Sequence, residues 1–162
     1  MQRDRANLSS LRFTAFCVLL VAYEIASAAT QFLPPLIGVM FAYLVIQKAT
    51  LDRDLDELSA REYLGFGFLV FAELLHGFML FSCALAFLVF YYFIYDWLIV
   101  NFKYRQLLLG VFVFAGYAGA LIVSDLILYV MNEAHLSLNY RYLAFALVES
   151  VLATALFKDK IL

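Results

Sequence analysis

Residues 63–100 form one continuous apolar stretch of 38 residues, in which the acidic, basic and imidazole side chains are only Glu73, His76 and Asp96. A single helix of this length would measure about 57 Å, nearly twice the hydrocarbon core of a bilayer, which is about 30 Å thick. We therefore predict that the stretch folds back on itself within residues 76–82, where Gly77 favours a turn. Two membrane-crossing helices result from one apolar stretch.

The composition of the whole chain indicates a lipid environment. Hydrophobic residues make up 66% of the 162 residues and charged residues 15%, against roughly half and a quarter in soluble domains. A soluble domain of this size could not bury so much apolar surface, which excludes both a water-soluble enzyme and a disordered chain. The 11 Lys and Arg against 13 Asp and Glu provide no basic surface for nucleic acid, so we expect no nucleic-acid partner.

The predicted fold class is all-α: residues 1–162 form a single integral membrane domain, a polytopic, compact bundle of six transmembrane helices with cytoplasmic N- and C-termini. This topology places 10 of the 11 basic residues on the cytoplasmic side, leaving Arg141 on the other, as the positive-inside rule requires. Treating 63–100 as one span would break that pattern. The predicted helices cover about residues 11–30, 32–47, 63–79, 82–100, 107–131 and 141–157, with a cytoplasmic loop at 48–62.

Local patterns refine the second and third helices. Pro34 and Pro35 suit the first turn of the second helix, where a missing amide donor costs little. Within the loop, leucines at 51, 55 and 58 have the spacing of a short surface helix. Ser59 and Glu62 have the spacing of a capping box at the start of the third helix.

The first residues also admit a second interpretation. Basic residues, an apolar run over 13–23 and the tripeptide Ala26-Ser27-Ala28 resemble a cleavable signal peptide. Against cleavage, the apolar character resumes directly after Thr30, and retaining this segment lets the spans pair as hairpins. An intact-mass measurement distinguishes the two interpretations.

Five ionisable side chains fall in the middle or outer half of the predicted helices, where each needs a partner or a polar cavity. We expect them to form a buried polar cluster or a surface that docks another membrane protein, with hydrogen bonding between helices as the structural alternative. Asp125 is the first candidate for docking, followed by Glu73 and Glu149. The full set is Asp125, Glu73, Glu149, Glu24 and His76.

We predict neither a metal site nor a catalytic site. Glu73 and His76 have the spacing used in di-metal helix bundles, but the chain has no second copy of that pair. We expect no metal, no cofactor and no catalytic residue, since nucleophile, phosphate-loop and zinc-protease motifs are missing from the sequence. Gly116 and Gly119 form a small-residue patch predicted to pack against another helix, with close approach of a ligand to the backbone as the alternative.

The order of these features resembles the rod-shape-determining MreD family over most of the chain. One helix entry reads Phe32-Leu33-Pro34, and the opening of the third helix reads Gly65-Phe66-Gly67-Phe68. The fifth helix contains Val123-Ser124-Asp125-Leu126-Ile127, and the basic C-terminus begins Phe157-Lys158. The chain departs from the family at His76, which stands where the family commonly carries an acidic residue.

The resemblance implies a noncatalytic scaffold in the bacterial cytoplasmic (inner) membrane. Its partner would be a bitopic MreC-like protein, connecting it indirectly to the MreB filament and to the polymerase and transpeptidase of peptidoglycan synthesis, and so to rod cell shape. An alternative is a small-molecule membrane carrier similar to the substrate-binding component of energy-coupling-factor vitamin transporters. The cluster of acidic residues with His76 favours the carrier, and the missing chemistry favours the scaffold.

Overall fold

The computed structural model describes residues 2–30, 32–54, 60–135 and 140–157. These residues form a helical bundle without β-strands. The fourth helix includes a π-helical segment, Phe90–Tyr95. Six helices are described: α1 (Gln2–Thr30), α2 (Ile37–Asp54), α3 (Ala60–His76), α4 (Ser82–Asn101), α5 (Arg105–Met131) and α6 (Tyr140–Phe157).

Four of the described helices are long and apolar enough to cross a bilayer, as expected of a membrane protein. The qualifying segments are Phe13–Thr30, Ser82–Asn101, Leu107–Met131 and Tyr140–Phe157. The other two helices differ for physical reasons: α3 has only 17 residues, and the last turns of α2 are charged. The chain is therefore a helical membrane protein with at least these four span candidates.

Helix α2 lies at the centre of the bundle and packs against α3, α5 and α6. Its residues Phe41 and Val45 are fully buried. Glycines allow the neighbouring helices to approach closely: a Cβ on Gly38 would lie 2.5 Å from Val113, and one on Gly65 would lie 2.7 Å from Leu44. Close contact through small residues is the usual basis of helix packing in lipid.

Helix α1 lies at the periphery. It packs against α3, and much of its apolar surface is open, with Phe16 60% and Leu19 69% exposed. Such exposure is normal for a helix that faces acyl chains. It also leaves a large part of α1 available for contact with another apolar surface.

The start of α2 differs from the prediction. We predicted a helix from residue 32 with Pro34 and Pro35 in its first turn, but α2 begins at Ile37. Leu36 has a positive φ of 50°, a left-handed backbone conformation that cannot continue a right-handed helix. The two prolines therefore belong to the connector that precedes α2.

The predicted cytoplasmic loop at 48–62 is shorter than its bounds, since α2 continues to Asp54 and α3 begins at Ala60, where the capping box predicted a helix start. Lys48 pairs with Asp52 one turn later, and Asp52 Oδ2 accepts a hydrogen bond from the Tyr91 hydroxyl at 2.6 Å. These contacts extend α2 beyond its apolar part. Leu51 lies on that extension, whereas residues 55–59, which include Ser59 of the capping box, lie outside the described residues.

Candidate functional site: buried carboxylates at recessed helix ends

Glu73 holds together the turn that separates α3 from α4. Its Oε2 accepts from the Phe81 amide at 2.8 Å, and its Oε1 accepts from the Ser82 hydroxyl at 2.9 Å and from the Cys83 amide. The side chain is fully buried. A carboxylate at a helix N-terminus satisfies free amides and interacts favourably with the helix dipole. Glu73 therefore serves as the N-terminal cap of α4, supplied from α3.

The turn between α3 and α4 contains two residues in the left-handed backbone conformation. Gly77 has a φ of 75° and Phe81 a φ of 65°, and the Met79 amide donates to the Ser124 hydroxyl of α5 at 3.1 Å. The reversal lies in the segment where length predicted it. Three amides of the reversal, those of Met79, Phe81 and Cys83, donate to Ser124 or Glu73, so these side chains satisfy backbone groups that no helix pairs.

Glu149 plays the same part for α2. Its Oε2 accepts from the Val39 amide at 3.0 Å, and its Oε1 accepts from the Tyr117 hydroxyl. Glu149 is fully buried in the middle of α6, nine residues after Tyr140. At 1.5 Å per residue, the start of α2 therefore lies about 14 Å along α6. The N-terminus of α2 is recessed into the bundle instead of reaching its end.

Two carbonyl groups of the connector between α1 and α2 accept hydrogen bonds from side chains of α1. The Tyr23 hydroxyl donates to the Pro34 carbonyl at 3.1 Å, and the Ser27 hydroxyl donates to the Leu33 carbonyl at 2.9 Å. Both donors come from α1. Side chains of α1 and α6 thus complete a stretch of backbone that has no helix of its own.

Glu24 and His76 join α1 to α3. The distance from His76 Nε2 to Glu24 Oε1 is 3.0 Å, and Glu24 is fully buried while the His76 side chain is 15% exposed. The second oxygen, Oε2, is buried and finds no hydrogen-bond donor among the described residues. Glu24 therefore differs from Glu73 and Glu149, whose oxygens all accept hydrogen bonds.

Two of these carboxylates belong to one polar region. Tyr117 on α5 bonds Glu149 and is close enough to Glu24 to interact with its charge, and Tyr23 is within electrostatic range of both acids. We therefore define the polar cluster as Tyr23, Glu24, His76, Tyr117 and Glu149. Glu73 lies one turn from His76 on α3 but points to the start of α4.

Asp125, the first predicted docking residue, lies apart from this cluster. It is 45% exposed, and its Oδ1 is 2.9 Å from Nδ1 of His135, which is 66% exposed. Asp125, like Glu73, therefore does not join the polar cluster, and its docking role stays a prediction. Its position near the C-terminal end of α5 puts it beside the exposed segment that follows the helix.

The predicted packing glycines lie in tight contacts. A Cβ on Gly116 would lie 2.9 Å from Phe41 of α2, and one on Gly119 would lie 2.7 Å from the Ala86 Cβ of α4. The two positions therefore fix α5 against two different neighbours. Gly67, in contrast, has no atom within 4 Å of an added Cβ.

The residues described here include no group of three or more His, Cys, Asp or Glu side chains that could hold a metal ion. Glu73 and His76 share a helix but turn to different partners, the start of α4 and Glu24. Cys83 is buried and Cys17 is partly exposed. On this geometry, the three buried acids bind backbone amides, hydroxyl groups and a histidine.

An apolar groove of about 690 Å³ runs between α1, α2, α3 and α6. We call it the α1 groove, since α1 forms its outer wall. Apolar side chains and glycine line it, among them Phe16, Leu20, Met40, Gly67, Phe68 and Leu156. The groove is separate from the polar cluster, none of whose members lines it.

Sequence reasoning did not identify Tyr117, Ser82 or Ser124. Each is buried and uses its hydroxyl group in a hydrogen bond. Tyr117 and Ser124 lie well inside an apolar helix, where a hydroxyl group needs a partner. The position of these hydroxyl groups inside an apolar helix predicted that each has a hydrogen-bond partner. It could not predict which residue that partner is.

Comparisons with protein-family models, curated proteins and solved structures find no match to this chain.

Proposed function

We propose that this chain is a noncatalytic scaffold of the bacterial inner membrane, resembling MreD. In this proposal all six helices cross the membrane, both termini are cytoplasmic, and the bundle docks the transmembrane helix of a bitopic MreC-like partner. Through that partner it organises the peptidoglycan polymerase and transpeptidase, with the MreB filament connected indirectly. The proposal rests on the order of sequence features described above and on one structural observation, the α1 groove.

The α1 groove suits a transmembrane helix as its occupant. Lipid gives apolar helices no hydrophobic reason to associate, so pairing depends on shape and van der Waals contact. The four helices around the α1 groove offer such contact along its length. The exposed Phe16 on one side and Leu156, 57% exposed, on the other would contact an incoming helix directly.

The buried acids support a structural role for the bundle. Glu73 and Glu149 are engaged at the starts of α4 and α2, so their oxygens are already used within the chain. Such contacts fix the helix ends and hold the groove walls in place. The open groove is then available for recognition.

Photocrosslinking in cells tests this assignment. A photoreactive amino acid replaces Phe16 in the groove, and the matched control replaces Ile122 on α5, which is 64% exposed and lies outside the groove. We expect the Phe16 probe to capture one bitopic protein and wall-synthesis proteins to co-purify with it. Equal capture from both positions would contradict docking in the groove.

The small-molecule carrier remains the second candidate, favoured by the size of the groove. A volume of about 690 Å³ lies within the range of ligand pockets, roughly 300–1,000 Å³, and its apolar lining would select an apolar compound. Purification in mild detergent separates the two candidates. Recovery of an ATPase module together with a bound vitamin, and no bitopic protein, would support the carrier function and contradict the scaffold function.

A further inference from the structure

We propose that Glu24 and His76 together form a proton-binding site that ties α1 to the rest of the bundle. In the bound state the pair holds one proton on the imidazole, and the carboxylate is its counter-ion across the 3.0 Å contact between Nε2 and Oε1. This inference stands independently of the proposed scaffold function. It concerns how α1 is attached, not what the groove binds.

The partners of the three buried carboxylates carry the argument. Backbone amides and hydroxyl groups hold Glu73 and Glu149, and these donors keep their hydrogens across the physiological pH range. A histidine holds Glu24, and histidine is the side chain that ordinarily changes charge between pH 5 and 8. Of the three carboxylates, Glu24 is therefore the one whose partner can lose a proton.

The second oxygen of Glu24 makes that loss costly. Oε2 is buried and no described residue donates to it, so the carboxylate depends on His76 for its stabilisation. Among the described residues, the other titratable groups that face Glu24 are Tyr23 on its own helix and Tyr117 on α5, with Glu149 of α6 beyond them. None of them is a cation, and Glu149 can only oppose a second negative charge.

The exchange needs no co-reactant. The protonated His76 side chain, which is 15% exposed, releases one proton, and the ion pair becomes a neutral imidazole beside a buried carboxylate. A carboxylate without a cation in low dielectric is strongly unfavourable. Moving α1 away from α3 lets Glu24 reach water and relieves that cost.

The position of the pair makes α1 the element that responds. Helix α1 packs against α3, and Glu24–His76 is a polar contact between these two helices. Tyr23 and Ser27 instead bond the connector that leads to α2. We expect α1 to stay attached through the connector while it separates from α3 as pH rises through the titration of the pair.

Distances between spin labels on the full-length chain in lipid vesicles test this. Labels on Val18→Cys of α1 and Ile122→Cys of α5, in a Cys17→Ser, Cys83→Ala background, report the position of α1. Both labelled positions are largely exposed, at 63% and 64%. Between about pH 5.5 and about pH 9, we expect one narrow distance distribution to become broader and longer.

Two substitutions locate the effect. Glu24→Gln removes the charge that needs a cation, and His76→Lys keeps a cation at high pH, so each is expected to retain the narrow distribution at both pH values. The matched control is Asp125→Asn, which removes the carboxylate charge beside His135 and should leave the pH response unchanged. The narrow distribution at low pH also verifies that each variant is folded.

The proposal is overturned if the unsubstituted protein shows the same distribution at both pH values. It is equally overturned if the response persists in either Glu24→Gln or His76→Lys, or disappears in Asp125→Asn. Because the titration of the unsubstituted protein is decisive alone, a variant that fails to fold does not remove the test.

Discussion

The Glu73 carboxylate accepts a hydrogen bond from the Ser82 hydroxyl at 2.9 Å, across the turn that joins α3 to α4. The same carboxylate takes the amides of Phe81 and Cys83, so one side chain closes a reversal that otherwise leaves several peptide groups unsatisfied. The turn between α3 and α4 therefore depends on the buried Glu73 carboxylate.

Removing that cap should destabilise the protein. For Glu73→Ala we expect the free energy of unfolding to fall by about 1–3 kcal/mol or more, because buried amides lose their acceptor. Thermal unfolding in detergent measures the loss. The control is Glu133→Ala, since Glu133 is exposed; equal melting temperatures for the two variants would show that the cap does not matter.

Close packing at Gly116 gives a second prediction. An added Cβ would lie 2.9 Å from Phe41, and overpacking of this kind typically costs about 1–3 kcal/mol. We therefore expect Gly116→Ala to unfold at a lower temperature than the unsubstituted protein. Gly67→Ala, where an added Cβ meets nothing within 4 Å, serves as its control, and a similar shift in both variants would disprove the packing role.

Filling the α1 groove tests recognition separately from stability. Gly67 lines the groove, and a Cβ added there meets no atom within 4 Å, so the ring of Gly67→Phe is expected to extend into the groove. We expect the bitopic partner to be lost from the purified complex while the melting temperature stays close to that of Gly67→Ala. Undiminished recovery of the partner would place docking elsewhere.

Asp125 offers a test of a second docking surface. Because it is 45% exposed, Asp125→Ala should leave membrane insertion and folding intact while it weakens capture of the partner. Co-purification at matched expression measures the effect. If capture is unchanged, Asp125 has no docking role and its contact with His135 is purely local.

The charged end of α2 predicts a pH dependence outside the membrane spans. Hydrogen bonds from Lys48 and Tyr91 lower the pKa of Asp52 below its ordinary value. A lowered folded-state pKa means that the stabilisation is present above the unfolded-state pKa, about 3.9, and is lost as pH falls through the folded-state value.

Thermal unfolding of Asp52→Asn and of the unsubstituted protein measures this difference. The two melting temperatures should differ at about pH 6 and converge as the pH falls through the lowered folded-state pKa of Asp52. Asp54→Asn is the control, since Asp54 is exposed and its contact with Arg53 is long, at 3.7 Å. A constant difference at every pH would show that ionisation of Asp52 is irrelevant.

The sequence allowed prediction of features that depend on length and local composition. The reversal near Gly77 follows from an apolar stretch too long for one span. Its position could be predicted because Gly77 itself favours a turn. Helical class follows from the same apolar blocks. In contrast, the start of α2 at Ile37 depends on Leu36 adopting a left-handed conformation, which no composition rule indicates.

The arrangement of the polar residues was less accessible, because it depends on which helix faces meet. Glu24 and His76 are 52 residues apart, and Val39 and Glu149 are 110 apart. Depth along a helix can be counted from the sequence, but direction around it cannot. Asp125 illustrates the limit, since its depth grouped it with acids that it does not join in space.

The pairing of Glu149 with the first turn of α2 has a consequence for biosynthesis. Helix α2 emerges from the ribosome well before Glu149 has been translated, so its opening amides must at first rely on water or lipid headgroups. Only the arrival of α6 releases them from that dependence and lets the connector settle into the bundle. The start of α2 therefore stays incomplete until α6 has been made.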